Sequence, residues 1–272
     1  MWRYLDRLPL YDPANIVTLG EGGTPLLPSN ADLGVRLFLK DETKNPTGSM
    51  KDRAMSAAYS KAKELGIRQT VIVSAGGAGI AASAYASRAK IQNTILIPKG
   101  VSLERTTTMQ IYGSELIEID GNVEDCLAAA ARMVKELGAY DATTFRRGNP
   151  FTAEAPRTIA FELFEQMGEV PDVVIVPVGG GGTLAGIWRG YRELRELGLT
   201  SSVPRMIGVQ NAKFNGLEIA LARGYTTDEE LRTLDRDIDS LLPTTTGAIK
   251  HSYVPDGVEA LEALRDTGGL VA

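Results

Sequence analysis

The chain has 272 residues, 43% of them hydrophobic and 23% charged, with a formal net charge of -5. That length can bury a substantial core, and the absence of any block of like charge argues against nucleic acid or an anionic membrane surface as partner. The single cysteine, Cys126, and the single histidine, His251, exclude an internal disulfide, leave a thiolate or imidazole metal cage short of ligands, and make a histidine-dependent hydrolytic triad improbable.

The opening residues Met1-Trp2-Arg3-Tyr4-Leu5-Asp6 lack the charged and apolar regions of a signal peptide, and no apolar run reaches the roughly 20 residues that span a bilayer, so a cytoplasmic protein is expected. Short β-branched runs alternate with alanine-rich helical stretches, the pattern of an α/β protein with parallel sheets. In chain order, strands are predicted over residues 35–40, 70–74, 94–98, 115–119, 173–178 and 206–210, most of them too apolar for one-sided burial. Helices are predicted over 51–65, 80–88, 103–111, 123–137, 156–166, 184–197 and 256–266. Cys126 falls inside a helical stretch, where a buried structural thiol is the expectation. Glycines 66 and 138 follow helix ends, as left-handed stops do. Residues 143–154, with Asn149-Pro150 and two arginines, break the alternation and read as a crossing between two lobes. After the last helix, Thr267-Gly268-Gly269-Leu270-Val271-Ala272 reads as a helix stop followed by the first residues of another strand, with a frayed tail as the other reading.

The run Asn45-Pro46-Thr47-Gly48-Ser49-Met50-Lys51-Asp52-Arg53 places one lysine on the first turn of a helix, directly after a glycine-containing turn. Helix-start amides carry partial positive charge that disfavours an ammonium. Lys51 is therefore expected to lose its proton more readily than a surface lysine and to attack an aldehyde. On position alone a solvated lysine is the competing reading.

A predicted strand ends in Gly179-Gly180-Gly181-Gly182-Thr183, and a helix follows. Four glycines at such a junction let backbone amides approach a ligand, and with the helix start they make a phosphate site to which Thr183 adds a hydroxyl; a merely tight turn seldom needs four. A second cluster, Ser74-Ala75-Gly76-Gly77-Ala78-Gly79, also follows a strand and opens a helix. Neither cluster matches the Walker spacing or the dinucleotide fingerprint, and Ile97-Pro98-Lys99 stands where a ribose-binding acid would be expected, which leaves NAD a weak contender. An imine-forming lysine and a separate phosphate cradle are together the two anchors of pyridoxal phosphate.

With these residues in place, the lysine run resembles the cofactor-lysine motif of the fold-type-II pyridoxal-phosphate enzymes, and is closer to threonine synthase than to cysteine synthase. Gly20-Glu21-Gly22-Gly23-Thr24-Pro25-Leu26 is similar to the N-terminal motif of the threonine synthases. Ser74 to Gly79 with Ala84-Tyr85-Ala86 resembles the substrate-carboxylate loop and its helix. Arg157-Thr158-Ile159-Ala160-Phe161-Glu162 resembles the helix after the lobe crossing, Gly179 to Thr183 the phosphate loop, and Pro204-Arg205-Met206-Ile207-Gly208-Val209-Gln210 a later core strand.

The resemblance implies two α/β lobes with mostly parallel sheets and the cofactor between them: a large domain of residues 1–56 and 153–272, apparently truncated at its C-terminus, and a small mobile domain of 57–152. It implies that Lys51 is the Schiff-base lysine and the general base and acid of the reaction. Gly179, Gly180, Gly181, Gly182 and Thr183 would hold the cofactor phosphate, and Ser74, Ala75, Gly76 and Ala78 the substrate carboxylate. Thr24, Lys40 and Ser49 would face a leaving phosphate, with solvated surface lysine an equally good account of Lys40. Two positions depart from the family. Gly77 stands where an asparagine usually contacts the cofactor ring, a hydrogen bond of about 1 to 3 kcal/mol, and the chain stops at Ala272 where a hydroxyl residue near the pyridine nitrogen would follow. The implied reaction converts O-phosphohomoserine and water to threonine and phosphate, in a homodimer; no metal-ligating residues are expected from the residue counts. A serine or threonine dehydratase, a β-replacement enzyme such as a cysteate synthase, and a non-catalytic relative are the other readings.

Overall fold

The computed structural model describes residues 1–234, 249 and 253–272, so His251 lies outside the described residues. The chain divides into two compact units, one of residues 1–144 and 148–155, the other of residues 145–147 and 156–272.

In the first unit β1 (Leu26–Pro28) pairs antiparallel with β2 (Phe38–Lys40). The strand predicted over 35–40 is thus shortened and belongs to a two-stranded ribbon apart from the parallel sheet. Helix α1 (Lys51–Glu64) leads to β3 (Gln69–Val73), α2 (Gly77–Ala89), β4 (Gln92–Pro98), α3 (Leu103–Ile111), β5 (Glu115–Ile119), α4 (Val123–Leu137), β6 (Tyr140–Asp141) and the short α5 (Pro150–Glu154). The four strands form one parallel sheet in the order β5-β4-β3-β6. Because side chains alternate across a strand, Ile72, Ile95 and Ile97 pack under α1 and α2 with Met55, Tyr59 and Tyr85, while Val71 and Leu96 pack on α4 with Cys126 and Ala130. Cys126 is fully buried, and burial pushes its thiol up from the ordinary value, as a structural cysteine requires.

The second unit contains α6 (Arg157–Met167), β7 (Val173–Pro177), α7 (Gly182–Glu196), β8 (Arg205–Val209), α8 (Gly216–Arg223), α9 (Asp228–Leu234), α10 (Gly257–Asp266) and β9 (Leu270–Val271). Its parallel sheet has the order β7-β8-β9. The terminal residues are therefore strand, as one of the two sequence readings had it: Leu270 pairs with Ile207, and the Gln210 and Ala272 amides donate to Ala272 and Gly208 carbonyls at 2.9 and 2.8 Å. Helix α7 crosses α6 closely enough that a Cβ on Gly190 would lie 2.6 Å from the Arg157 carbonyl oxygen, so glycine is needed there for approach.

Two expectations are modified. Both glycine-cluster helices begin earlier than predicted, α2 at Gly77 and α7 at Gly182, so the clusters supply first turns as well as loops. The division also differs from the one expected, since residues 1–56 fall with 57–144. A boundary at 56 would cut through continuous α1, and the preceding segment is bonded to that helix, the Val17 amide donating to Ser60 Oγ at 2.8 Å.

Candidate active site

Lys51 is the first residue of α1, and its amide donates to Ser49 Oγ at 3.2 Å. The turn before it is held from inside. Gly48 takes a φ of +81°, open to glycine at little cost, and its amide closes on the Asn45 carbonyl at 2.8 Å. The buried Asp52 carboxylate accepts from Thr47 Oγ1 at 2.9 Å and from the Thr47 and Ser49 amides. An acid in the first turn also complements the helix dipole. Burial nonetheless pushes the Asp52 carboxyl up, the charge of Glu21 adds to the shift, and the bonds from Thr47 and Ser49 oppose it.

The next residue, Arg53, has no solvent exposure and forks onto Glu42, Nε to Oε2 and Nη2 to Oε1, both at 2.8 Å. Thr24 Oγ1 donates to the same carboxylate at 2.6 Å, and Asn45 Nδ2 does so at 2.9 Å. Burial alone would raise the Glu42 carboxyl, but the bond and charge of Arg53, with Thr24 and Asn45, hold it below the ordinary value. Gly22 donates its amide to Asn45 Oδ1 at 2.9 Å. Glu21 is buried and accepts from Ser56 Oγ at 2.6 Å and from the Tyr85 hydroxyl at 2.7 Å. Burial raises the Tyr85 phenol, and the Glu21 and Asp52 charges raise it further. The N-terminal glycine motif and the lysine motif are thus one bonded assembly beneath the start of α1. Lys40 Nζ donates to the Thr24 carbonyl at 2.7 Å, so Lys40 and Thr24 sit together in that assembly and Lys40 is anchored to backbone.

The loop after β3 is organised by Ser74, whose Oγ accepts from the Gly76 and Gly79 amides at 3.3 and 3.0 Å. Gly79 has no room for a side chain, since a Cβ would lie 2.7 Å from Met109 Cε and 2.8 Å from the Ser74 carbonyl. Gly77 does have room: a Cβ there would lie 3.5 Å from Ser49 Oγ in ordinary contact. Gly77 is in this way brought against Ser49, two residues from Lys51, with Ser74, Ala75, Gly76 and Ala78 flanking it in the same loop and first turn. Arg105, on α3, donates Nη1 to the Ala75 carbonyl at 3.3 Å; no motif pointed to it.

In the second unit the Val173–Pro177 strand runs through Val178, whose amide bonds to Val209, into Gly179, Gly180, Gly181 and the first turn of α7 with Gly182 and Thr183. Gly181 is the N-cap of α7, in the left-handed region at φ +92°, and it brings no side-chain cap to the helix amides. The loop passes under Pro255 and Asp256. The Asp256 amide donates to the Gly180 carbonyl at 2.8 Å, and a Cβ on Gly182 would collide with the Asp256 carboxylate. Asp256 was not singled out by sequence, having no motif around it.

These residues fit pyridoxal phosphate in their chemistry. A lysine opens one helix, and a second helix opens on glycine with no side-chain cap on its amides, as an anion site requires.

Comparison of folds defines the class first. The chain is similar to the L-serine ammonia-lyase of the fungus Rhizomucor miehei, with a TM-score of 0.74 and 24% identity over 92% of this chain and 75% of that one. It is likewise similar to the processed threonine deaminase isoform 2 of Solanum lycopersicum, with a TM-score of 0.76 and 18% identity over 100% of this chain and 74% of that one. The fold is that of the fold-type-II pyridoxal-phosphate enzymes. Residues 17–272 match the family model described as pyridoxal-phosphate dependent enzyme, and the chain belongs to that family. Among its relatives are the threonine synthases of Methanocaldococcus jannaschii, 39% identical over 77% of this chain and 53% of that protein, and of Synechocystis sp., 40% identical over 77% and 56%. The threonine synthase of Methanosarcina acetivorans is 32% identical over 99% of this chain and 65% of that protein. The chain spans about half the length of the first curated relatives it matches.

Proposed function

We propose that the chain carries the cofactor and substrate residues of a threonine-synthase-like lyase, acting on O-phosphohomoserine with release of phosphate. The observation that supports this reading is the approach of Gly77, in the Ser74–Gly79 cluster, to Ser49, whose Oγ accepts from the Lys51 amide. Pyridoxal phosphate supplies an electron sink for a carbanion on the amino acid when it is bound. Lys51 would bind its aldehyde and then take and return protons on the substrate carbons. Gly179, Gly180, Gly181, Gly182 and Thr183 would hold its phosphate through amides and one hydroxyl, and Gly77 would face its ring without supplying a side-chain bond. Amides of Ala75, Gly76 and Ala78, in a loop shaped by Ser74, would orient the substrate carboxylate. Ser49 would face the leaving phosphate, with Thr24 and Lys40 behind it as support. A cytoplasmic location is part of the proposal, and so, on the strength of the resemblance, is a homodimer.

The test is a visible absorption spectrum of the purified protein with added pyridoxal phosphate, beside Lys51→Ala, followed by assays of phosphate and ammonia release. A yellow band in the parent alone, with phosphate released from O-phosphohomoserine, is expected. A band with ammonia released only from serine or threonine would favour a dehydratase. No band in either protein would favour a non-catalytic relative, the second reading that the bare Gly77 supports.

A further inference from the structure

Far from Lys51 along α1, a strap of residues 14–18 is tied to the ends of two helices. Lys63 Nζ, in the last turn of α1, donates to the Ala14 carbonyl at 2.9 Å, and Arg88 Nε, in the last turn of α2, donates to the Thr18 carbonyl at 3.2 Å. Between them lies an open cleft of about 340 Å³ lined by Ile16, Val17, Lys63, Arg88, Ala89 and Lys90. Three cations line it and no acid does. Among the described residues none of the three has a carboxylate partner. Glu64, beside Lys63 in sequence, is engaged by Lys61 and by the Tyr11 and Asp12 amides.

The partial negative charge at helix C-termini favours cations at all three positions. It does not account for the backbone conformation of Lys90. That residue takes the left-handed conformation, φ 58° and ψ 39°, and is the one non-glycine residue with positive φ among the described residues. Gly138, Gly168 and Gly224 fill the same place after α4, α6 and α8. A lysine there is disfavoured relative to glycine, and a non-glycine residue in that conformation points to a use for its side chain.

We propose that this cleft binds a phosphomonoester, with a lining that includes neither Lys51 nor the Gly179–Thr183 loop. Arg88 offers a fork to two phosphate oxygens, Lys63 and Lys90 match the remaining charge, and Ile16 and Ala89 border the cleft. Because Arg88 holds the Thr18 carbonyl while Thr18 Oγ1 donates to Glu21, the ligand would rest against the assembly beneath α1.

The probe is phenyl phosphate, titrated calorimetrically into the purified chain, its Lys90→Gly variant and its Arg88→Met variant. The expected result is saturable binding by the parent that weakens by about tenfold in each variant, the scale of one charge-assisted hydrogen bond. Lys90→Gly should at the same time raise the thermal midpoint, because backbone strain is relieved. Four outcomes would overturn the proposal: no binding by the parent, binding unchanged by Lys90→Gly, equal affinity for isophthalate, or binding lost only when the Gly179–Thr183 loop is altered.

Discussion

The lysine turn and the glycine loop are both strand-or-turn to helix junctions, yet they are held by opposite means. The turn before α1 is fixed by buried charge: Arg53 on Glu42, Asp52 on Thr47, and Glu21 on Ser56 and Tyr85. The loop before α7 is fixed by close packing, with glycines fitted under Pro255, Asp256 and Ala260. A charged scaffold is sensitive to proton and partner loss, whereas a steric one is sensitive to volume.

The largest expected effect is on the charged side. Arg53→Met leaves Glu42 without its cation and should cost about 3 to 5 kcal/mol in urea unfolding, with the double variant Arg53→Met/Glu42→Met recovering a good part of it. An additive double variant would show that the fork contributes nothing as a pair. On the steric side, Gly181→Ala combines positive φ with a Cβ 3.0 Å from the Asp256 carbonyl, and should cost about 1 to 3 kcal/mol together with weaker cofactor binding in the visible titration. No change in either would mean that the loop yields freely.

Acid sharpens the contrast. The Glu42 carboxyl lies below its ordinary value of 4.5 in the folded chain, so its contribution is present above that value and is lost as the pH falls through the depressed one. Asp52 works in the other direction, since its raised value means that the folded chain takes up its proton more readily than the unfolded one. Glu42→Gln should therefore flatten the stability profile below about pH 4.5, read as thermal midpoint against pH, and an unflattened limb would shift the cause to other carboxylates. The smallest effect is expected from Gly77→Asn. The space beside Ser49 admits a side chain, so stability should change by no more than about 0.5 kcal/mol while affinity for pyridoxal phosphate rises. A large loss of stability would show that the loop cannot take a side chain.

Much of this was legible from local signals. The alternation of β-branched and alanine-rich runs foretold the parallel strands β3, β4, β5, β7 and β8, and glycine after an amphipathic run foretold the stops at Gly66 and Gly138. Less legible were β1, β6, α5, α8 and α9, which are short or lack a strong period. The helix starts were placed late because glycine reads as a breaker, although Ser74 spans the α2 start from outside the helix.

By itself the sequence determined that an α/β chain would present Lys51 at a helix start and a bare glycine loop at another, because strand period, helix period and glycine backbone freedom act over a few residues. The tertiary structure decided what surrounds them. Tyr85 reaches Glu21 across 64 residues, Arg88 reaches Thr18 across 70, and Arg146 meets Asp256 across 110. Such partners are chosen by how helices pack on sheets, where burying a charge or a hydroxyl demands a mate wherever the fold brings one.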